Sequence, residues 1–120
     1  MTWADALRGH DEALEDGGRA GIVNEHAIHS AIARPYHGYH RRIHQKSAAL
    51  LEGIVRNHGF ADANKRTALY LVELLITRSG YTLVEDDLVI VELIVSVADG
   101  QLSYDELANW FEPRIHRPAA

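Results

Sequence analysis

The stretch NKRTALYLVELLITRSG, Asn64 to Gly80, decides the fold. Ala68, Leu71, Val72, Leu75 and Ile76 recur at helical spacing as one apolar stripe, which Leu69 and Leu74 widen. So wide an apolar arc predicts a helix buried on several sides, at the centre of a bundle. Arg78 falls in its last turn, where a cation meets the negative end of the helix dipole. Gly80 suits the left-handed residue that follows a helix.

Working outward, the punctuation stays helical. Thr2 or Asp5 opens a short helix that ends at Gly17-Gly18. Asn24 is a natural N-cap for Glu25–Arg34, which stops before Pro35 because a residue preceding proline avoids the α region. Pro35 to Tyr39 reads as a loop. Residues 41–57 return to a helical period through Ile43, Ser47, Leu50, Leu51, Ile54 and Val55. Beyond the central helix, Tyr81–Val84 is briefly extended and Leu88–Ala98 is a nearly all-apolar helix. Ser103 with Glu106 predicts a capping box for a last helix through Phe111. No pair of alternating runs supports a sheet. The expected fold is all-α: one domain over 1–120, its core at about 21–112, its tail at 113–120 loosened by Pro113 and Pro118.

Composition narrows the function. With 120 residues, 47% of them hydrophobic, the chain can build a core. Cysteine is absent, which excludes disulfides and thiolate metal sites and fits the cytoplasm. The start of the chain has no basic stretch followed by an apolar run, so no signal peptide is expected. No apolar run approaches the roughly 18 residues that would suggest a membrane span. The net charge of −5 argues against a globally basic nucleic-acid binder. Positive charge is local, at Arg41-Arg42 and Lys65-Arg66, which suits a small anionic ligand.

The second of these pairs carries the chemistry. Lys65 and Arg66 open the central helix, where unpaired N–H groups and the dipole already make the end positive. Cations are unfavourable there by roughly 0.3–1 kcal/mol each unless an anion is present. Free N–H groups, dipole and cations together would cradle a phosphate; the alternative is a solvated charge pair. Asp62 has two readings, an N-cap or a Mg²⁺ ligand shared with phosphates. Asn64 bonds either a phosphate oxygen or the backbone, and Phe60 reads as a core anchor. A neutral imidazole at His58 can take a proton from an attacking hydroxyl, although a lone histidine is more often structural.

These words, His58-x-Phe60-x-Asp62-Ala63-Asn64-Lys65-Arg66, resemble the signature of the Fic/Doc superfamily, and specifically its death-on-curing (Doc-like) toxin branch. The resemblance extends to Ser30–Pro35, Gly80-Tyr81 and Asp99–Leu107. It implies His58 as general base, Asp62 as ligand of Mg²⁺, Asn64 and Arg66 at the phosphates of ATP, where the charge argument adds Lys65, and Phe60 as anchor of the motif. It implies a toxin of a toxin–antitoxin pair, restrained in trans by an antitoxin protein and acting on a protein hydroxyl, with elongation factor Tu as the branch's target. The AMP-transferring members have glycine where this chain has Lys65 and a second arginine where it has Leu69; Gly59 replaces their usual proline, a change that looks harmless. A lysine in that place goes with phosphate transfer, with AMP transfer as the alternative.

The family also docks its target's backbone on a flap, for which Arg34–His40 is the candidate, as a short β element near the site. The self-inhibitory Ser/Thr-x-x-x-Glu pattern is missing, since Ser47 stands one residue too far from Glu52. Three rivals remain. The eight histidines suggest a metal site at His26 and His29 or at His37, His40 and His44, without a completing ligand. Arg34 and His40 loosely fit a helical ribonuclease. A silent Fic-fold binding module would have lost His58, Asp62 or Arg66, and all three are present.

Overall fold

The computed structural model describes residues 1–118. Six helices form the body: α1 Trp3–Leu14, α2 Glu25–Ala33, α3 Ile43–Asn57, α4 Asn64–Arg78, α5 Asp87–Ala98 and α6 Tyr104–Phe111. Short 3₁₀ turns at Arg34–Tyr36 and Glu112–Arg114 extend α2 and α6. Local chemistry fixes the starts. Thr2 Oγ1 accepts the Asp5 N–H at 3.1 Å while Asp5 returns the bond to Thr2 N at 2.9 Å. Asn24 Oδ1 accepts from Ala27 N at 3.0 Å, and Ser103 and Glu106 close the predicted box on α6.

The centre is shared by α3 and α4. Helix α4 buries the predicted stripe of Ala68, Leu71, Val72, Leu75 and Ile76, and Thr67 beside it. Helix α3 is buried continuously from Ser47 to Val55 and packs against α2, α4, α5 and α6. Its small residues hid this centrality from a reading of apolar periodicity. They permit close approach instead: a methyl group added to Gly53 would lie 3.1 Å from the Ala31 side chain. Glu52, also buried, is held between Arg34 at 2.8 Å and Arg56 at 3.4 Å.

Three boundaries differ from expectation. The core does not begin at residue 21: α1 packs on α4, and Ala6 is 0% exposed. The tail is tied down through its first residues. A two-stranded antiparallel ladder pairs β1, Thr82–Leu83, with β2, Ile115–His116, beyond the reach of alternation as a signal because each strand has two residues. Arg114 secures it by bonding Glu85 at 2.7 Å and covering the Trp110 ring at 4.3 Å. Residues 119 and 120 of the expected tail lie outside the described part. Finally, Arg34–His40 is not a β flap. Its first half is 3₁₀ helix, fastened by Arg34 to Glu52 and by Lys46 Nζ to the Pro35 carbonyl at 2.9 Å. No helix among the described residues is long and apolar enough to cross a membrane.

Candidate active site

The loop from His58 to Ala63 joins the end of α3 to the start of α4, and both of its hinges are left-handed. His58 sits at φ 46° and Ala63 at φ 62°, a region where non-glycine residues are uncommon. His58 caps the C-terminus of α3 and is exposed. Gly59 follows with no room for a side chain: a Cβ would come within 2.3 Å of Ile28 Cγ1 and 3.1 Å of the Asn24 carbonyl. Its glycine identity is therefore a packing requirement here, where the sequence alone made it look incidental.

Several bonds fix the loop. Phe60 is 2% exposed and belongs to the core. Asn64 holds the Phe60 backbone from both sides, accepting its N–H at 3.2 Å and donating to its carbonyl at 3.0 Å. That selects the backbone partner among the two open to Asn64, and leaves one amide N–H and one lone pair spare. Outside, the extended segment Gly21–Asn24 runs antiparallel to the loop. Gly21 O accepts from Ala61 N at 2.9 Å, and Gly59 O accepts from Val23 N at 2.9 Å and from Asn24 N at 3.0 Å. The extended strand beside the motif is thus this segment.

Helix α1 supplies a support that no sequence signal revealed. The His10 ring, 5% exposed, stacks on Phe60 with centroids 4.0 Å apart. Its Nε2 lies 2.9 Å from the Asp62 carbonyl. A carbonyl can only accept, so Nε2 carries the proton. Arg66 reaches the other end of α1, bonding the Ala13 carbonyl and, at 2.8 Å, that of Gly17. No basic residue occupies the last turn of α1, so Arg66 supplies the missing cation from α4. Two of its five N–H donors are engaged.

Asp62 does not cap α4. Oδ1 accepts from Ala63 N at 2.8 Å and Oδ2 from Arg19 N at 3.1 Å. These two N–H groups hold its carboxyl below the usual range, so it is ionised at neutral pH. The cap residue of α4 is Ala63, which has no side chain to offer, and the first turn holds no acid. The first turn of α4 thus starts without a side-chain acceptor and with Lys65 exposed beside it.

This end of α4 opens into a cleft of about 510 Å³, a size ordinary for small-molecule sites. His58, Asp62, Asn64, Lys65 and Arg66 line it together, so every polar residue singled out in the motif converges. Leu69 continues the floor, and Val91, Ile94, Val95 and Ala98 of α5 make an apolar wall. The wall was missed because a nearly all-apolar helix gives no sign of which face is uncovered; Val91 and Val95 are 52% and 43% exposed. A divalent cation that shares phosphate oxygens needs one or two carboxylates and supplies the rest of its shell from water and phosphate. An ionised Asp62 with lone pairs left over fits that demand. The histidine clusters do not: His40 bonds Tyr104 at 2.7 Å, His44 pairs with Glu112 at 3.0 Å, and His29 with Glu25 at 3.3 Å. Among the described residues no three His, Asp or Glu side chains gather around one point.

No curated protein matches the chain at a significant level. The profile of the Fic/DOC family matches residues 2–76, more than half of the chain. The matched range holds α1 to α3 and α4 as far as Ile76, hence the whole His58–Arg66 loop and its support from His10.

Proposed function

The chain belongs to the Fic/DOC family, and on that premise we propose that it is a Doc-like toxin that transfers the γ-phosphate of ATP to a hydroxyl of a protein. The observation that carries this reading is the uncapped, cationic start of α4 opening into a cleft beside His58. The free N–H groups of the first turn, with Lys65 and the remaining donors of Arg66, receive phosphate oxygens. The imidazole of His58 takes the proton of the attacking hydroxyl as its oxygen bonds the γ-phosphorus and ADP leaves. Asp62 would hold Mg²⁺, which when bound offsets the negative charge of the phosphates. The apolar α5 wall excludes water from one side of the cleft.

AMP transfer is the second reading. The choice between them turns on positions 65 and 69. The exposed Lys65 stands at the cleft mouth, and Leu69 gives an apolar floor where AMP-transferring relatives place a second arginine. Fewer phosphate contacts deep in the cleft favour a nucleotide entering with its γ end first. ATP labelled at either the α or the γ phosphorus, incubated with a bacterial lysate and with purified elongation factor Tu, tests this. Protein label from γ alone is the expected result; label from α overturns kinase chemistry, and no label from either supports the silent binding module. As the toxin of a pair, the protein is restrained by an antitoxin whose segment folds over the cleft in trans. Expression alone should arrest growth, and expression with the neighbouring gene should not.

A further inference from the structure

We propose that a second cleft, at the opposite end of α4 from the motif, binds a small polyphosphate anion. It measures about 560 Å³ and is lined by Arg41, Arg42, Ile43, His44, Lys46, Ser79, Tyr81 and Glu112. Along α4 the two linings are separated by the ten residues from Leu69 to Ser79, or about 15 Å of helix rise. It therefore stands independently of the transfer reaction.

Charge distribution carries the argument. The chain is acidic, at −5, yet this cleft collects cations. Elsewhere Arg34, Arg56, Arg78 and Arg114 are paired with Glu52, Asp5 and Glu85, while Arg8, Arg19, Lys65 and Arg66 are spread over other parts of the molecule. Among the described residues Arg41, Arg42 and Lys46 have no carboxylate within ion-pair distance. Arg117 adds a further cation, lying over the Tyr81 ring at 5.4 Å. The one carboxylate lining the cleft, that of Glu112, lies 3.0 Å from the His44 ring.

Two of these heads are also held in position. Lys46 Nζ donates to the Pro35 carbonyl at 2.9 Å, and Arg41 Nε to the Gly38 carbonyl at 3.3 Å. A carbonyl fixes a cation's direction without cancelling its charge, so Arg41, Arg42 and Lys46 bring three uncancelled charges to the cleft. A single carboxylate is a poor match for three cations and the hydroxyls of Ser79 and Tyr81. A chain of phosphates spreads several charges over that span and matches guanidinium donors in pairs. The ligand chemistry is thus a polyphosphate, free or as the tail of a nucleotide.

Amide chemical shifts of the whole protein, followed during titration with inorganic triphosphate, give a site-resolved test. Two groups of shifts are expected, one at 58–69 and one at 41–46 with 79–81. The Arg41→Ala/Arg42→Ala variant, altered at two exposed side chains, should weaken the second group at least about tenfold and leave the first. Lys65→Ala should do the reverse, which separates this site from the transfer site. Shifts at 41–46 with ATP as well as triphosphate place the ligand among nucleotides; shifts with triphosphate alone place it among free polyphosphates. Either supports the site. No shift at 41–46 and 79–81, or one indifferent to the double variant, overturns it. So does a response there to a single-stranded oligonucleotide without any to triphosphate.

Discussion

At the start of α6, Ser103 Oγ accepts the Glu106 N–H at 3.1 Å, and Glu106 accepts the Ser103 N–H at 3.1 Å. At the start of α4 stands Ala63, left-handed and with a methyl side chain that accepts nothing, followed by Asn64, Lys65 and Arg66. Helices α1, α2, α5 and α6 all carry an acid in the first turn, at Asp5, Glu25, Asp87, and Asp105 with Glu106. Helices α3 and α4 carry none, and of these two it is α4 that opens at the motif. The one carboxylate adjacent to it, Asp62, turns to the Ala63 and Arg19 N–H groups instead. The contrast separates two ways of treating the same exposed N–H groups. The α6 end is satisfied within the chain and contributes to stability. The α4 end has no side-chain acceptor of its own, and the surrounding loop contributes the rigidity that the missing cap does not.

The largest expected effect lies on the ligand side of this contrast. His58→Ala should lower phosphate transfer by about 10²–10⁴-fold, the range for loss of a general base. The imidazole is exposed, so thermal midpoint and ATP affinity should hardly change. Single-turnover assays with γ-labelled ATP, run beside a melting curve, check both halves. An unchanged rate would remove His58 from the chemistry, and the open helix end would then be a binding feature only.

Asn64→Ala comes next and tests the loop's rigidity. It strips both partners from the Phe60 backbone at once. Leaving a buried N–H and C=O without partners should destabilise the fold by about 1–3 kcal/mol. Asn24→Ala removes an ordinary N-cap bond at 3.0 Å and should cost about 1 kcal/mol. Urea denaturation of the two variants ranks them. If Asn64→Ala is the milder of the two, Asn64 serves the cleft more than the loop.

How much of this was legible follows from sequence distance. The central stripe of α4, the Asn24 cap and the Ser103–Glu106 box are written within a few consecutive residues, and the structure has them where the pattern put them. The motif residues are contiguous too, so their convergence on one cleft could be anticipated. What joins distant segments could not. His10 stacks on Phe60 from 50 positions away, Arg66 answers carbonyls of Ala13 and Gly17, and α5 turns Val91 and Val95 toward the cleft. The strand beside the motif was misplaced for the same reason. Arg34–His40 is rich in aromatic residues but tied to α3, while the extended segment is the plainer Gly21–Asn24.

The smallest expected effects come from exchanging features between the two helix starts, and they differ in sign. Ser103→Ala opens the α6 box and should cost about 1 kcal/mol. Ala63→Gly acts oppositely. An alanine held at φ 62° pays roughly 1–2 kcal/mol for its Cβ in the left-handed region. Glycine removes that strain but gives the unfolded chain extra freedom, worth about 0.4–1 kcal/mol against the fold. Ala63 is also 8% exposed, so its methyl contributes a little burial that glycine loses. The balance is a gain of a few tenths to about 1 kcal/mol, read as a higher urea midpoint. Neither change adds a side-chain acceptor at α4, so ATP affinity should stay put in both. If Ala63→Gly instead lowers the midpoint while sharply weakening ATP binding, the alanine is packed for the ligand, and the strain at the α4 start belongs to the binding site itself.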